Sequence, residues 1–411
     1  MPDPTSPRDT EVADVWRLFD ERLVALEAEP TSLAEALGRT LREAVRADAD
    51  LPAFDRSAMD GYAFFPAHGP ANYHLIGTIK AGETAERVPA ADEAYRIFTG
   101  AALPAPDMSV LMQEEARVEG HLLMVHRHVE RGEYVRARGS DARAGVVLLP
   151  SGTRLGPAEI ALAASVGVTK PLTTRRPRIA HATTGDELVP PEAVPRAGQI
   201  RNSNQFLISA LLQESGVPAN HLHHEHWSDD RNHATQRLAG AEFAQADVIL
   251  LSGGSSVGEH DYAAPLLEAA GFTLHVRTVN SRPGRPLLFG TRGRQLAFGL
   301  PGNPLSHFVC FHLFVRMALA HLAGRKPAGW RQAVLAEPVT EALNRRPTFW
   351  PARLDWEDPG ELRVRSLPWN NSGHLGALAG VQALFRVPAG TQELPAGALM
   401  DTLLVGPEFS A

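Results

Sequence analysis

Asp247-Val248-Ile249-Leu250-Leu251-Ser252-Gly253-Gly254-Ser255-Ser256-Val257-Gly258-Glu259-His260-Asp261-Tyr262 runs from an apolar, β-branched stretch straight into a polar loop punctuated by glycine. The apolar part is short enough to be a buried strand. Glycines at its carboxyl end let the backbone turn sharply and let a ligand approach exposed N–H groups. A helical pattern from Ala263 to Ala270 starts just beyond, so its amino end is expected to face the same crevice. Further on, Arg282-Pro283-Gly284-Arg285-Pro286 puts two guanidiniums around one tight turn. Leu300-Pro301-Gly302-Asn303-Pro304-Leu305-Ser306 then leads from an apolar strand into an apolar helix that opens near Pro304, with proline suited to a first turn.

Outward from this stretch, strand and helix patterns alternate. Arg178 to Thr183 reads as strand, Asn204 to Ser215 as helix, Pro218 to Trp227 as strand, and Arg231 to Phe243 as helix. Such alternation predicts a mostly parallel sheet covered on both faces. Loops that follow its strands share one edge, the usual place for ligands in such sheets. Thr183-Thr184-Gly185-Asp186-Glu187-Leu188 and Ser228-Asp229-Asp230-Arg231 are two more of these loops, and Gln199 to Asn204 is expected to cap the next helix. Any one of Glu187, Asp229 and Asp261 is most simply a capping or solvated carboxylate. Three on one edge, beside a backbone anion site and two arginines, point to a phosphorylated ligand with a divalent cation. Hard carboxylate oxygens suit Mg²⁺, which keeps several waters and bridges to phosphate.

The flanks read differently. Glu11 to Ala28 carries Val12, Val15, Trp16, Phe19, Leu23 and Leu26 at helical spacing, and Leu33 to Val45 follows the capping pair Thr31-Ser32, so two helices are expected there. From Tyr73 to about Glu133 short alternating runs separated by turn residues predict a small β-rich domain. Val146 to Gly167 holds a strand, a turn and the helix Pro157 to Ser165. After Trp330 the pattern returns to short strands: Gln332 to Glu337, Phe349 to Trp356, Leu362 to Ser366, Ala383 to Pro388 and Leu403 to Gly406.

Composition narrows the class. The chain has 411 residues, 44% hydrophobic and 21% charged, enough for several cores. A net charge of −7 argues against a general nucleic-acid binder. The single cysteine, Cys310, sits in the apolar run Leu305 to Leu322 and excludes an internal disulfide. That run is interrupted by His312, Arg316 and His321, which reads as a core helix and not a membrane span. Asp3, Arg8, Asp9 and Glu11 leave no apolar leader at the start, so a cytoplasmic protein is expected. His221, His223, His224 and His226 alternate along one strand and fall on two faces, which argues against a shared metal. The glycine loop lacks the lysine of a phosphate-binding P-loop and the spacing of a dinucleotide fingerprint, and no Gly-x-Ser-x-Gly elbow marks a hydrolase.

Five stretches taken together carry a family resemblance: Asp55-Arg56-Ser57-Ala58-Met59-Asp60-Gly61-Tyr62-Ala63, Thr99-Gly100-Ala101, Thr184 to Leu188, Ser252 to Tyr262, and Leu300 to Pro304. In this order they resemble the molybdopterin molybdenumtransferases, the MoeA family that includes the gephyrin E domain. The resemblance covers nearly the whole chain. It implies an α/β multidomain fold, with a central parallel-sheet α/β molybdopterin-binding domain (177–326), a small β-rich domain inserted N-terminally (51–141) and a C-terminal β-barrel-like domain (327–411). Residues 1–28 would pack with the α/β domain, and 29–50 with 142–176 would form a linking domain.

The resemblance further implies an enzyme in which molybdate displaces AMP from adenylylated molybdopterin, in a homodimer with shared active sites. By similarity the catalytic set is Asp60, Thr99, Asp141, Glu187, Asp229 and Asp261, with Asp229 and Asp261 holding Mg²⁺. Gly253, Gly254, Ser255, Ser256, Gly258, Pro301, Gly302 and Asn303 would hold the substrate, and Arg282, Arg285, Pro286, Ser306, Arg353 and Ser372 the molybdate. One departure is Arg-Pro-Gly-Arg-Pro at 282–286, where the family has Lys-Pro-Gly-Lys-Pro; arginine keeps the charge but offers a planar fork. A second is Gly-Gly-Ser-Ser at 253–256, where Gly-Gly-Val-Ser is common. Adenylylated molybdopterin and molybdate are the expected ligands, a molybdopterin adenylyltransferase a candidate partner, and neither nucleic acid nor membrane is expected. The competing readings are an adenylyltransferase, or a non-catalytic molybdopterin-binding or scaffold protein.

Overall fold

The computed structural model describes residues 9–253, 262–340, 345–355 and 360–406. It divides into two compact units: Pro30–Leu37 with Leu41–Leu172, and Met1–Glu29 with Gly38–Thr40 and Thr173–Ala411.

The first unit is built on a six-stranded sheet. Its strands are β1 (Gly61–Phe64), β2 (Ala71–Ile79), β3 (Glu93–Ile97), β4 (Ser109–Met112), β5 (Arg117–Glu119) and β6 (Leu122–Val125), in the order β4-β1-β3-β2-β6-β5. Only β2 and β3 run parallel. Neighbouring residues go to opposite faces, so Ala63, Tyr95 and Val110 build one apolar cluster while Phe64, Ala94 and Leu111 build the other. The helix expected over Leu33 to Val45 is absent: a single 3₁₀ turn, Leu33–Glu35, is followed by Gly38 at φ 76° and then irregular chain. The reason is tertiary. The Leu41 and Arg42 N–H groups donate to the distant carbonyls of Thr153 and Leu172, and Ala36, Leu41 and Val45 are buried with Leu149, Leu155 and Val166. Those partners outweigh local helix propensity.

In the second unit, β7 (Ile179–Thr184), β8 (Leu222–Trp227), β9 (Val248–Ser252), β10 (Thr273–Thr278), β11 (Pro286–Arg292) and β12 (Gln295–Leu300) form a sheet in the order β8-β7-β9-β12-β11-β10. The first four in that order are parallel, and β11 and β10 are added antiparallel. Every residue of β7 and β9 is buried, the pattern of strands covered on both faces. The strands β10 and β11 have weaker sequence patterns and escape a periodicity reading. Helix α1 (Val12–Arg22) stops six residues earlier than expected, because the Leu26 N–H turns away to the Leu322 carbonyl. The segment expected as one helix from Arg231 to Phe243 is two, α2 (Arg231–Leu238) and α3 (Ala241–Gln245), divided at Gly240.

Residues Pro304–Leu322 form one long apolar helix, α4, with a π-helical stretch at Phe311–Val315. It is long and apolar enough to cross a membrane, yet 83% of it is buried inside the protein, as a core helix is. The five-stranded barrel that follows (Arg331–Leu335, Thr348–Asp355, Arg363–Ser366, Ala383–Val387, Leu399–Leu404) closes on itself. Its side chains Phe349, Leu384 and Phe385 belong to the same apolar cluster as Phe298 and Phe311. One apolar cluster thus runs across residue 327, and α1 joins it through Val15 and Phe19. Each such buried aromatic contributes about 1.5–3 kcal/mol.

Candidate functional site

Two adjoining cavities open at the carboxyl ends of the parallel strands. The larger, about 720 Å³, is lined by the loops after β7, β8, β9 and β12, including Thr184, Glu187, Asp229, Ser252, Gly253 and Gly302. The smaller, about 360 Å³, is lined by Arg282, Arg285, Ser306, Arg346, Trp369 and Ser372, among others. Pro286, Pro301 and Asn303 line both.

In the larger cavity, backbone geometry explains the glycine. Gly253 has φ 97°, and a Cβ there would fall 2.7 Å from Thr184 Oγ1 and 2.8 Å from its carbonyl. The Gly253 N–H is not available to a ligand as expected, because it donates to the Leu300 carbonyl at 3.2 Å. Gly254, Ser255, Ser256, Gly258 and Asp261 lie outside the described residues. The carboxylates separate by role. Asp230 is the capping residue, accepting from the N–H groups of Asn232 and His233, which leaves Asp229 free of that duty. Asp229 and Asp186 instead exchange bonds across neighbouring loops, each backbone N–H donating to the other's carboxylate at 3.2 Å. Tyr262 Oη donates to Asp229 Oδ1 at 3.4 Å, and burial pushes the phenol up to about 12. Glu187 is exposed at the cavity wall with its carboxylate over Gly185. Asp186 was not singled out in the sequence; its place in the same loop as Glu187 was the available signal.

Asn202, expected among the capping residues, does accept the Gln205 N–H at 3.2 Å, and its Nδ2 donates to Thr183 Oγ1. Asn204 donates to the Gly302 carbonyl at 2.6 Å, tying the loop after β12 to helix Asn204–Glu214. Asn303 Nδ2 donates to Ser372 Oγ at 2.9 Å, and the Leu305 N–H donates to the Ser372 carbonyl at 3.0 Å. A barrel loop is thereby fastened to the start of α4, and Ser372 is held beside Ser306.

The smaller cavity is strongly cationic. The Arg282 guanidinium stacks over Trp369 at 4.9 Å, leaving its fork edge to other partners. Arg285 is paired with Asp9 at 2.9 Å. Burial works to raise the Asp9 carboxyl, but hydrogen bonds from Arg285 and Thr278 hold it below its ordinary value. Arg346 donates to the Ser281 carbonyl at 3.0 Å, and burial together with the nearby Arg285 lowers its pKa. The indole N–H of Trp369 is buried without an acceptor. Gly284, at φ 97°, carries the turn between the two arginines, where a Cβ would fall 2.7 Å from Cys310 Sγ. Cys310 is a fully buried core residue whose thiol burial pushes up.

Arg353 requires correction. It lies exposed on the barrel strand Thr348–Asp355 and donates to the Ala379 carbonyl at 3.2 Å; it does not line the cationic cavity. Arg346, seven positions earlier, does. Its signal was an Arg-Pro pair immediately before an apolar strand.

Asp60, Thr99 and Asp141 belong to the first unit. Asp60 Oδ1 accepts both the backbone N–H and the hydroxyl of Thr99 at 2.7 Å, and these bonds hold its carboxyl below the ordinary range. Asp141 is likewise lowered, by Arg136 at 2.5 Å. Both sit at loop positions, Asp60 half-buried and Asp141 exposed.

Comparison with known proteins now decides the family. Family models match in sequence: the MoeA N-terminal region (domain I and II) over residues 10–167, the "Probable molybdopterin binding domain" over 180–321, and the MoeA C-terminal region (domain IV) over 332–405. A molybdopterin molybdenumtransferase of Nostoc sp. is 32% identical over 97% of this chain and 89% of that protein. The chain belongs to the MoeA family. Another family member, the molybdopterin molybdenumtransferase of Synechocystis sp., is 31% identical over 88% of this chain and 90% of its own length. The crystal structure of a molybdopterin biosynthesis MoeA protein from Pyrococcus horikosii superposes with a TM-score of 0.80 at 25% identity, covering 97% of this chain and all of that one. The α/β core with its closed C-terminal barrel is thus the fold of this family.

Proposed function

We propose that this chain is a molybdopterin molybdenumtransferase, which transfers molybdenum from molybdate onto the dithiolene of adenylylated molybdopterin with release of AMP. The observation that carries this reading is the pair of adjoining cavities on one sheet edge, one bearing carboxylates and polar loops, the other bearing Arg282, Arg285 and Arg346. A tetrahedral dianion suits the cationic cavity, where guanidinium forks make charge-assisted bonds and the unpaired Trp369 N–H is a further donor. Pro286, Pro301 and Asn303 form the wall common to both, so a molecule in the larger cavity lies next to an oxyanion captured in the smaller one.

Among the described residues no group of three His, Cys, Asp or Glu side chains gathers to hold a metal ion. The donors that are present still suit Mg²⁺. Asp229 is not spent on a helix cap, its oxygens are hard, and Mg²⁺ needs only one or two protein carboxylates beside phosphate and water. Asp229, with Asp261, would hold the ion, which when bound supplies charge neutralisation at the phosphoanhydride. The chain's own part is to orient the nucleotide-capped pterin along the loops Thr183–Leu188 and Leu300–Asn303 and to keep the oxyanion beside it. Release of AMP breaks the phosphoanhydride bond as an oxygen of water or of molybdate bonds to phosphorus, and the two dithiolene sulfurs replace oxygens of molybdate, which leave as water with the thiol protons.

The proposal extends to a homodimer with shared active sites acting in the cytoplasm, with Asp60, Thr99 and Asp141 as further catalytic residues. One incubation tests it: protein, adenylylated molybdopterin, Mg²⁺ and molybdate, followed by measurement of AMP and of cofactor able to activate an apo-molybdoenzyme. Both products are expected. Bound nucleotide without AMP would leave a binding protein, and consumption of ATP with free molybdopterin would make it an adenylyltransferase.

A further inference from the structure

Behind the floor of the larger cavity lies a chain of buried polar groups that the reaction above does not use. His181, on β7, is fully buried. Its Nε2 is 2.7 Å from Ser252 Oγ, and its Nδ1 is 3.1 Å from Nδ1 of His224 on β8. Strand register builds this contact: His181 is opposite His224, and Thr183, two residues on and hence on the same face, is opposite Ser252. Ser252 is the last residue of β9 and lines the cavity. Burial pushes His224 down to about 4 and His181 well below its usual value, so both rings are neutral near pH 7.

Between two neutral imidazoles facing through Nδ1, one proton is shared, and there are two ways to place it. If His181 carries it, His181 Nε2 is bare and accepts from the serine hydroxyl. His224 must then bear its own proton on Nε2, which is buried without a partner. If His224 carries the proton on Nδ1, its buried Nε2 is only a lone pair, His181 is protonated on Nε2, and that N–H donates to Ser252 Oγ. A buried N–H without an acceptor costs more than an uncoordinated lone pair, so the second arrangement is favoured. The same rule holds next door. His307, also fully buried, has Nδ1 3.2 Å from the Pro301 carbonyl, which can only accept, and so its unpartnered Nε2 is likewise bare.

We infer that the His224–His181 pair fixes the Ser252 hydroxyl as a hydrogen-bond donor aimed into the larger cavity, where it takes an acceptor oxygen of the bound substrate. This deepens the reading of that cavity as the site of the nucleotide-capped pterin and rests on it. With its oxygen already accepting from His181, the hydroxyl proton has no acceptor among the described residues. Ser252 is accordingly a substrate-binding group, and His181 and His224 are positioning residues. The arrangement also removes Ser252 as a nucleophile, since His181 presents a proton to it and not a lone pair. The acceptor belongs either to the pterin ring or to the adenylate, and the ligand arms below separate the two.

The test has a ligand-free part and a binding part. Long-range ¹H–¹⁵N spectra of the histidine-labelled wild-type protein are expected to show His181 as the Nε2–H tautomer and His224 as the Nδ1–H tautomer. The reverse assignment overturns the inference. In His224→Phe, which does not touch the cavity, the His181 signal is expected to move toward the other tautomer; an unchanged signal counts against the relay. Ser252→Ala is expected to weaken binding of either molybdopterin or AMP, measured separately, by about tenfold, with Ser252→Thr restoring most of it. Unchanged affinity for both ligands in Ser252→Ala contradicts the role of the hydroxyl. A wild-type protein that binds neither ligand would instead sink the reading of the cavity, and the spectra would still judge the histidine pair.

Discussion

The two cavities on this sheet edge share three residues and differ in everything else. The larger is walled mainly by backbone turns and polar side chains, with Asp229, Glu187 and Arg201 among its lining, and Asp229 and Asp186 bind each other's backbone N–H across neighbouring loops. The smaller gathers three arginines, one stacked on Trp369, one paired with Asp9 and one half-buried between them. Carboxylates attract a cation and arginines an anion, so in the proposed reaction the adjacency of the two would put opposite charges where a phosphoanhydride and a metal oxyanion meet. Under the proposed function the difference divides the reaction spatially: one wall would handle the leaving nucleotide, the other the incoming metal.

The division can be broken from either side. Asp229→Asn removes the carboxylate without changing shape, and AMP release in the presence of Mg²⁺ is expected to fall by about 100- to 1000-fold; a rate within threefold of wild type would remove Asp229 from the chemistry. On the other wall, Arg346→Ala is expected to weaken molybdate binding by roughly ten- to a hundredfold, the cost of losing a charged hydrogen-bond donor. Arg353→Ala, outside that cavity, should change it less than about twofold. Equilibrium dialysis with molybdate compares them, and a larger effect at Arg353 than at Arg346 would reverse the assignment.

Smaller effects sharpen the picture. Gly284→Ala forces a side chain into a positive-φ turn against Cys310, and chemical denaturation should show a loss of about 1–3 kcal/mol. Asp9→Asn frees Arg285 from its partner, so molybdate should bind a few times more tightly. The Asp9 carboxyl is depressed in the folded protein, so its stabilisation is fully present above its ordinary value of 3.8 and is lost as pH falls through the lower folded value. Because Arg285 is partly exposed, that contribution is about 1 kcal/mol or less. The stability gap between wild type and Asp9→Asn should therefore close below pH 3.8, and a gap that widens there would contradict the pairing.

Much of this arrangement is legible in the chain, and the failures have physical causes. Fully buried strands such as Val248–Ser252 announce themselves by continuous apolar runs ending in glycine, and the loops after them must share an edge. Leu33 to Val45 looked helical because local spacing says nothing of carbonyls at Thr153 and Leu172 that capture its N–H groups. The core common to the α/β sheet and the barrel was hidden for the same reason, since contacts between Phe298, Phe349 and Phe385 span distant sequence. Arg353 and Arg346 differ by seven positions in one sequence neighbourhood, and only the path of the strand says which of them reaches the cavity. The histidines at 221–226 dissolve into separate duties, His223 on Glu225, His224 on His181 and His226 on the Gly185 carbonyl.

The most direct measurement pairs two readouts on Asp229→Asn protein: molybdate affinity by equilibrium dialysis and AMP release from adenylylated molybdopterin with Mg²⁺. Separate walls with separate duties predict wild-type molybdate affinity together with almost no AMP. Loss of both, or retention of both, would show that the sheet edge is not divided in this way.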